Sequence, residues 1–182
     1  RLVGFGTRHT LSSPTDPKRG IGAGRTWTAS QFAKLSKACA GCIAVEQPSK
    51  RFSGPRAPDG VDVVDVLGIQ KGSGGSNDVV IVAGHIDSRV TDPMDFKSDA
   101  PGANDDGSGV ALVLEAARLL SKERHRATIV YAVLSGEEQG LWGGKLLAET
   151  ARAKGWNVLA MLNNDIVGNT KGTDGRVVAD RV

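Results

Sequence analysis

The chain has 182 residues, enough for one domain with a sizeable core. Its net charge of +3 is mild and its basic residues are scattered, which argues against nucleic acid or an anionic membrane as partner. No apolar run reaches the roughly 18 residues that cross a bilayer. No signal peptide is visible in a chain that starts abruptly at Arg1, as expected of a processed or trimmed chain.

The first sixty residues carry five of the seven prolines and one convincing helix, read from Gln31 to about Ala40, capped by Thr28 or Ser30 and ending near Gly41. Cys39 and Cys42 follow. A short-loop disulfide or a buried pair is the leading reading. A redox motif is weaker, because no strand leads into the pair, and metal binding lacks a second Cys/His pair. A disulfide would imply an oxidising compartment, hence a secreted or periplasmic protein. The stretch from Pro48 to Pro58 reads as a surface loop.

From Val61 the pattern changes. Val61 to Ile69 alternates and is rich in β-branched residues, which predicts a strand. Gly72 to Ser76 reads as a turn rather than a phosphate loop, since no Lys-Ser/Thr or helix follows. Asp78 to Ala83 predicts a second strand, paired with the first as a hairpin. Gly84 to Gly109 is a polar loop long enough to be functional. A helix over Val110 to Leu120, a buried strand over Ala127 to Leu134, a helix over Gly140 to Ala153 and a buried strand over Val158 to Val167 complete the order. Apolar strands alternating with helices predict an α/β fold: a three-layer α/β/α sandwich around a mainly parallel mixed sheet. One domain over 1–182 is expected, with helix and loops in 1–60 and the sheet core in 61–182.

Every group of ligand-type residues falls just after a predicted strand or in the long loop, on one edge of that sheet. His85 and Asp87 lie in GHIDS, Asp105 and Asp106 in PGANDDGSG, Glu137 and Glu138 in SGEEQG, and Asp165 in NNDIVG. Ligands of open α/β sheets bind at the carboxyl ends of the strands. One histidine with several carboxylates suits zinc or another divalent cation, and two-cation hydrolytic sites bridge their ions with a carboxylate. Glu137 and Glu138 can diverge at a strand-to-helix turn, one binding metal and the other serving as general base. Asp87 can accept a hydrogen bond from the His85 imidazole and fix its tautomer. Asp106 reads as a helix cap or a supporting group. Trp142 reads as packing.

GHIDS, PGANDDGSG, SGEEQGLWGG and NNDIVG, in this order, resemble metallopeptidase family 28, the co-catalytic zinc aminopeptidases. The resemblance covers Val61 to Gly168 and, less specifically, the N-terminal GFGTRHT. It implies a zinc-exopeptidase-like fold and two Zn2+ per complete domain. His85 and Asp165 would bind the first zinc, Asp105 would bridge, and Glu138 would bind the second. Glu137 would act as general base and Asp87 would support His85. The implied reaction is hydrolysis of N-terminal peptide bonds of peptides or proteins through a metal-activated water, in a monomer.

The family takes a final histidine ligand from a later loop, and none follows Asp165 here. His125 lies at the wrong end of the sheet and His9 is a poor substitute. The domain is therefore expected to be incomplete at its C-terminus, and residues 1–182 alone to bind the second zinc weakly and turn over slowly. Carboxypeptidase action, glutaminyl cyclisation at one zinc, or an inactive binding module are the competing readings. The cyclase site lacks a ligand at the position of His85.

Overall fold

A computed structural model of the chain describes residues 1–172 and 175–177. After a 3-10 turn at Leu2–Phe5 the elements are α1 (Ile21–Ala38), β1 (Ile43–Glu46), β2 (Ser49–Gly54), β3 (Ala57–Val64), β4 (Val66–Gln70) and β5 (Asp78–His85), then α2 (Gly107–Leu120), β6 (Thr128–Leu134), α3 (Trp142–Ala153) and β7 (Asn157–Asn163). Five strands form one sheet in the order β1-β4-β6-β5-β7, and β2 pairs with β3 in a separate ribbon. The β5 ladders to β6 and β7 are parallel, while β4 runs antiparallel to both β1 and β6.

Strand β6 shows why three layers form. Its residues are apolar on both faces, and successive side chains point opposite ways. Ile129, Tyr131 and Val133 join Phe32 of α1 and Val110, Val113 and Ala117 of α2 on one side. Val130, Ala132 and Leu134 meet Leu147 of α3 on the other. A strand buried on both sides must lie inside a sandwich.

Several expectations are corrected. Helix α1 begins at Ile21, ten residues before the expected start, because Gly22 and Gly24 are spacing residues, not breakers. A Cβ at Gly22 would run into the Pro14 backbone, and one at Gly24 would press on Ile86 and Arg8. Thr28 and Ser30 do not cap it; their hydroxyls bond back to the Gly24 and Trp27 carbonyls inside the helix. The expected loop from Pro48 to Pro58 forms most of the β2–β3 ribbon. Phe52 stacks on Trp142 there with ring centroids 5.7 Å apart. Proline is tolerated on such an edge ribbon.

The expected strand over Val61 to Ile69 breaks at Asp65 into β3 and β4, which belong to different sheets. Asp65 is fully buried and its Oδ1 accepts the Ser135 N–H at 2.9 Å, so the chain turns there to serve the next loop. The expected hairpin between β4 and β5 does not form, since β6 lies between them. The N-terminal sixty residues supply β1 to the main sheet in addition to helix and loops. Finally, β7 ends at Asn163 and is exposed along its whole length, with Leu159 and Leu162 on its surface, where a buried strand was expected.

Parallel register places the site. His85 pairs with Leu134 across β5 and β6, and Ala83 with Asn163 across β5 and β7. The loops after these strands therefore leave the sheet at one level and one edge. Pro101 to Asp106 reaches the same edge by leading into α2.

Candidate metal centre

His85 ends β5 with only 4% of its side chain exposed. Its Nδ1 lies 3.1 Å from the Asp87 backbone carbonyl, which makes Nδ1 the protonated nitrogen and turns Nε2 toward the cluster. The Asp87 carboxylate is 3.6 Å from Nδ1 and acts on it by charge, while its own oxygens are engaged elsewhere. Asp87 Oδ1 accepts the Glu137 N–H at 3.2 Å, and Oδ2 accepts the Glu138 N–H at 3.1 Å and the Thr10 hydroxyl at 3.0 Å. Asp87 is thus the post on which the Glu137–Glu138 turn is hung. Burial opposes its charge, but the His85 contact and these N–H donors hold its carboxyl below the usual range.

His85 Nε2 lies 3.2 Å from Asp105 Oδ1, 3.8 Å from Asp165 Oδ1 and 4.0 Å from Glu137 Oε2. One ligand atom each from His85, Asp105 and Asp165 falls within 4.8 Å of the others. An imidazole nitrogen and two carboxylates at that spacing fit a divalent cation. Burial pulls the His85 imidazolium down, but Asp87, Asp106 and Glu137 outweigh burial and raise its pKa. A surround that favours a positive charge there suits a cation, whose binding would release that proton.

Glu137 is shifted upward as well, which for a carboxyl disfavours the charged form. Burial raises its carboxyl, Asp87, Glu138 and Asp165 add to the rise, and His85 opposes it. Glu138, expected at a second cation rather than the first, lies outside the three-residue group. Its Oε2 accepts Arg89 Nε at 2.6 Å. Asp106 is the N-cap of α2, with Oδ1 accepting the Gly109 N–H at 2.8 Å and Oδ2 the His85 N–H at 3.0 Å. It ties the His85 strand end to the helix that follows Asp105. The Asp105–Asp106 peptide is cis.

Three contributors escaped the sequence reading. Arg8 is buried and donates to the carbonyls of Ile86 (2.7 Å), Pro101 (2.7 Å) and Gly102 (2.9 Å), joining the two ligand loops. Thr10 supports Asp87. Arg25 Nε bonds Ser135 Oγ at 3.1 Å behind the Glu137 turn. The unexplained TRHT stretch was the available signal for Arg8 and Thr10. Nothing in the spacing pointed to Arg25. His9 faces Pro93 and Gln139, and His125 contacts Leu120 O at 2.9 Å, so neither joins the cluster. Trp142 is buried in packing.

Carboxylates and a histidine gathered at the carboxyl edge of a mixed sheet belong to the zinc-exopeptidase class of fold, and solved structures share this fold. A Zn-dependent exopeptidase from Parabacteroides distasonis superposes with a TM-score of 0.72 at 18% identity, over 93% of this chain and 60% of that one. A glutaminyl cyclase from Porphyromonas gingivalis gives 0.73 at 19% identity, over 92% and 58%.

The sequence model of Peptidase family M28 matches residues 65–175, and the chain belongs to that family. A probable zinc metalloprotease of Pyricularia oryzae is 46% identical over 181 residues, covering 96% of this chain and 35% of its own length. The chain thus spans about a third of the length of that relative.

Proposed function

We propose that this chain carries most of the metal centre of a secreted two-zinc exopeptidase that removes residues from peptide N-termini. The observation that carries the proposal is the meeting of His85, Asp105 and Asp165 with Glu137 Oε2 only 4.0 Å from His85 Nε2. His85, Asp105 and Asp165 would hold one zinc, and Asp105 and Glu138 would contribute to the second. Bound there, the metal supplies Lewis-acid polarisation of the scissile carbonyl and makes water acidic enough to attack near neutral pH. The remaining chemistry falls to the chain. Asp87 N–H acceptors hold the Glu137 turn in place. Glu137 takes the proton of the attacking water on its carboxylate and returns it to the leaving amine. In the metal-free chain burial and the neighbouring carboxylates raise the Glu137 carboxyl.

The Cys39–Cys42 disulfide supports the secreted assignment, since such bonds persist in oxidising compartments. Monomer is the expected state, tested by sedimentation. Glu137→Gln in the full-length protein should lower kcat by at least about 100-fold, the lower range for a positioned base, with zinc content unchanged. Turnover within tenfold of the parent would refute the base assignment.

Glutaminyl cyclisation is the second reading, kept by the fold shared with the Porphyromonas gingivalis cyclase and opposed by the place of His85 in the three-residue group. Cyclisation of an N-terminal glutaminyl peptide with one zinc per full-length chain would select it. Hydrolysis of an amino-blocked peptide would instead point to carboxypeptidase action.

A further inference from the structure

Arg89 directly follows the His85–Ser88 turn and reaches across the mouth of the site. Its Nε donates to Glu138 Oε2 at 2.6 Å, and Nη1 bonds the Val90 and Thr91 carbonyls at 3.1 and 3.3 Å. Glu138 is held from both sides of its backbone. Its N–H donates to Asp87 Oδ2 at 3.1 Å and its carbonyl accepts Arg56 Nη1. The Glu138 side chain is 12% exposed and that of Arg89 33%. The carboxylate is therefore the fixed member of the pair and the long guanidinium arm the movable one. Asp105 and Glu137 also lie within electrostatic reach of the guanidinium.

We propose that Arg89 is a resident counter-ion that sets the affinity of the second cation position. This rests on the two-zinc reading. Arg89 occupies Oε2 of the Glu138 carboxylate, so a divalent cation held by Asp105 and Glu138 would share that carboxylate with the guanidinium, and the two positive charges oppose each other there. The His85–Asp105–Asp165 group loads without breaking that pair. The two affinities are thereby spread apart, and loading is stepwise.

Zinc titration by calorimetry into metal-free full-length protein tests this directly, comparing the parent with Arg89→Met and Arg89→Lys. Arg89→Met keeps an apolar stem and removes the charge; Arg89→Lys keeps charge but loses the planar fork. Two ions are expected per chain in all three proteins. The first affinity should change by no more than about twofold. The second should tighten about tenfold in Arg89→Met, equivalent to ~1.4 kcal/mol, and less in Arg89→Lys. The metal-free Arg89→Met protein should also melt below the parent. Equal second affinities in parent and Arg89→Met would overturn the role of Arg89 while leaving two-zinc binding intact. One ion per chain throughout would overturn both. If Arg89→Met fails to fold, Arg89→Gln is read in the same way.

Discussion

Asp106→Ala should be among the most damaging single substitutions outside the cluster, and its magnitude follows from two hydrogen bonds. The side chain is fully buried, with one oxygen on Gly109 N–H at the start of α2 and the other on His85 N–H at the end of β5. Loss of an N-cap costs ~0.5–2 kcal/mol. Stranding the buried His85 N–H costs a further ~1–3 kcal/mol. The two losses occur in different elements, so a total of about 2–4 kcal/mol is expected. A domain of this size shifts its Tm by about 2–4 °C per kcal/mol, which converts to roughly 5–15 °C. Asp106→Asn keeps one acceptor but turns an NH2 toward the other N–H, so about half the loss should remain. Urea unfolding of the metal-free protein is the assay, because bound metal would mask the change. Both variants lying within 0.5 kcal/mol of the parent, a threshold at about the scatter of surface substitutions, would refute the argument that Asp106 fastens strand to helix.

Asp65 yields a pH test. Burial pushes its carboxyl up to about 8 against Ser135 N–H and Arg25, so the folded chain keeps a proton that the unfolded chain releases. Stability from this group is fully present below about pH 4 and declines as pH rises toward 8, by up to ~1.4 kcal/mol per unit. Asp65→Asn should remove that slope, and unfolding free energies of parent and variant that stay parallel from pH 5 to 8 would count against it. Trp142→Ala empties the seat shared by Phe52 and the Glu137 loop and should cost about 3–5 kcal/mol by denaturation. Trp142→Phe should recover most of that; equal losses in both would show that the indole is not what packs there.

The residue types needed for metal chemistry were legible because each sits in a short polar motif directly after an apolar run. Parallel strands deliver such motifs to one edge whatever their sequence separation, so locating β5, β6 and β7 was enough to bring His85, Glu137 and Asp165 together. Strand pairing was less legible. Val61 to Ile69 reads as one strand by alternation, and only the burial of Asp65 against Ser135 N–H divides it. Nor does alternation say which partner a strand takes, so β4 was assigned to β5 although β6 separates them. Helix α1 was cut short because Gly22 and Gly24 lower helix propensity, and the close approach of Pro14 and Ile86 that requires glycine is a property of packing.

Composition and periodicity by themselves determined a layered α/β domain with candidate cation ligands along one edge, since hydrophobic pattern and ligand chemistry are local in the chain. Tertiary structure alone decided what each carboxylate does there. Asp87 hangs the Glu137 turn, Asp106 fastens β5 to α2, and Glu138 faces Arg89. These roles depend on which donors lie within about 3 Å across long sequence separations, and hydrogen bonding falls away steeply beyond that range. Three acidic residues of one chemical type can therefore look interchangeable in the sequence and hold different offices in the fold.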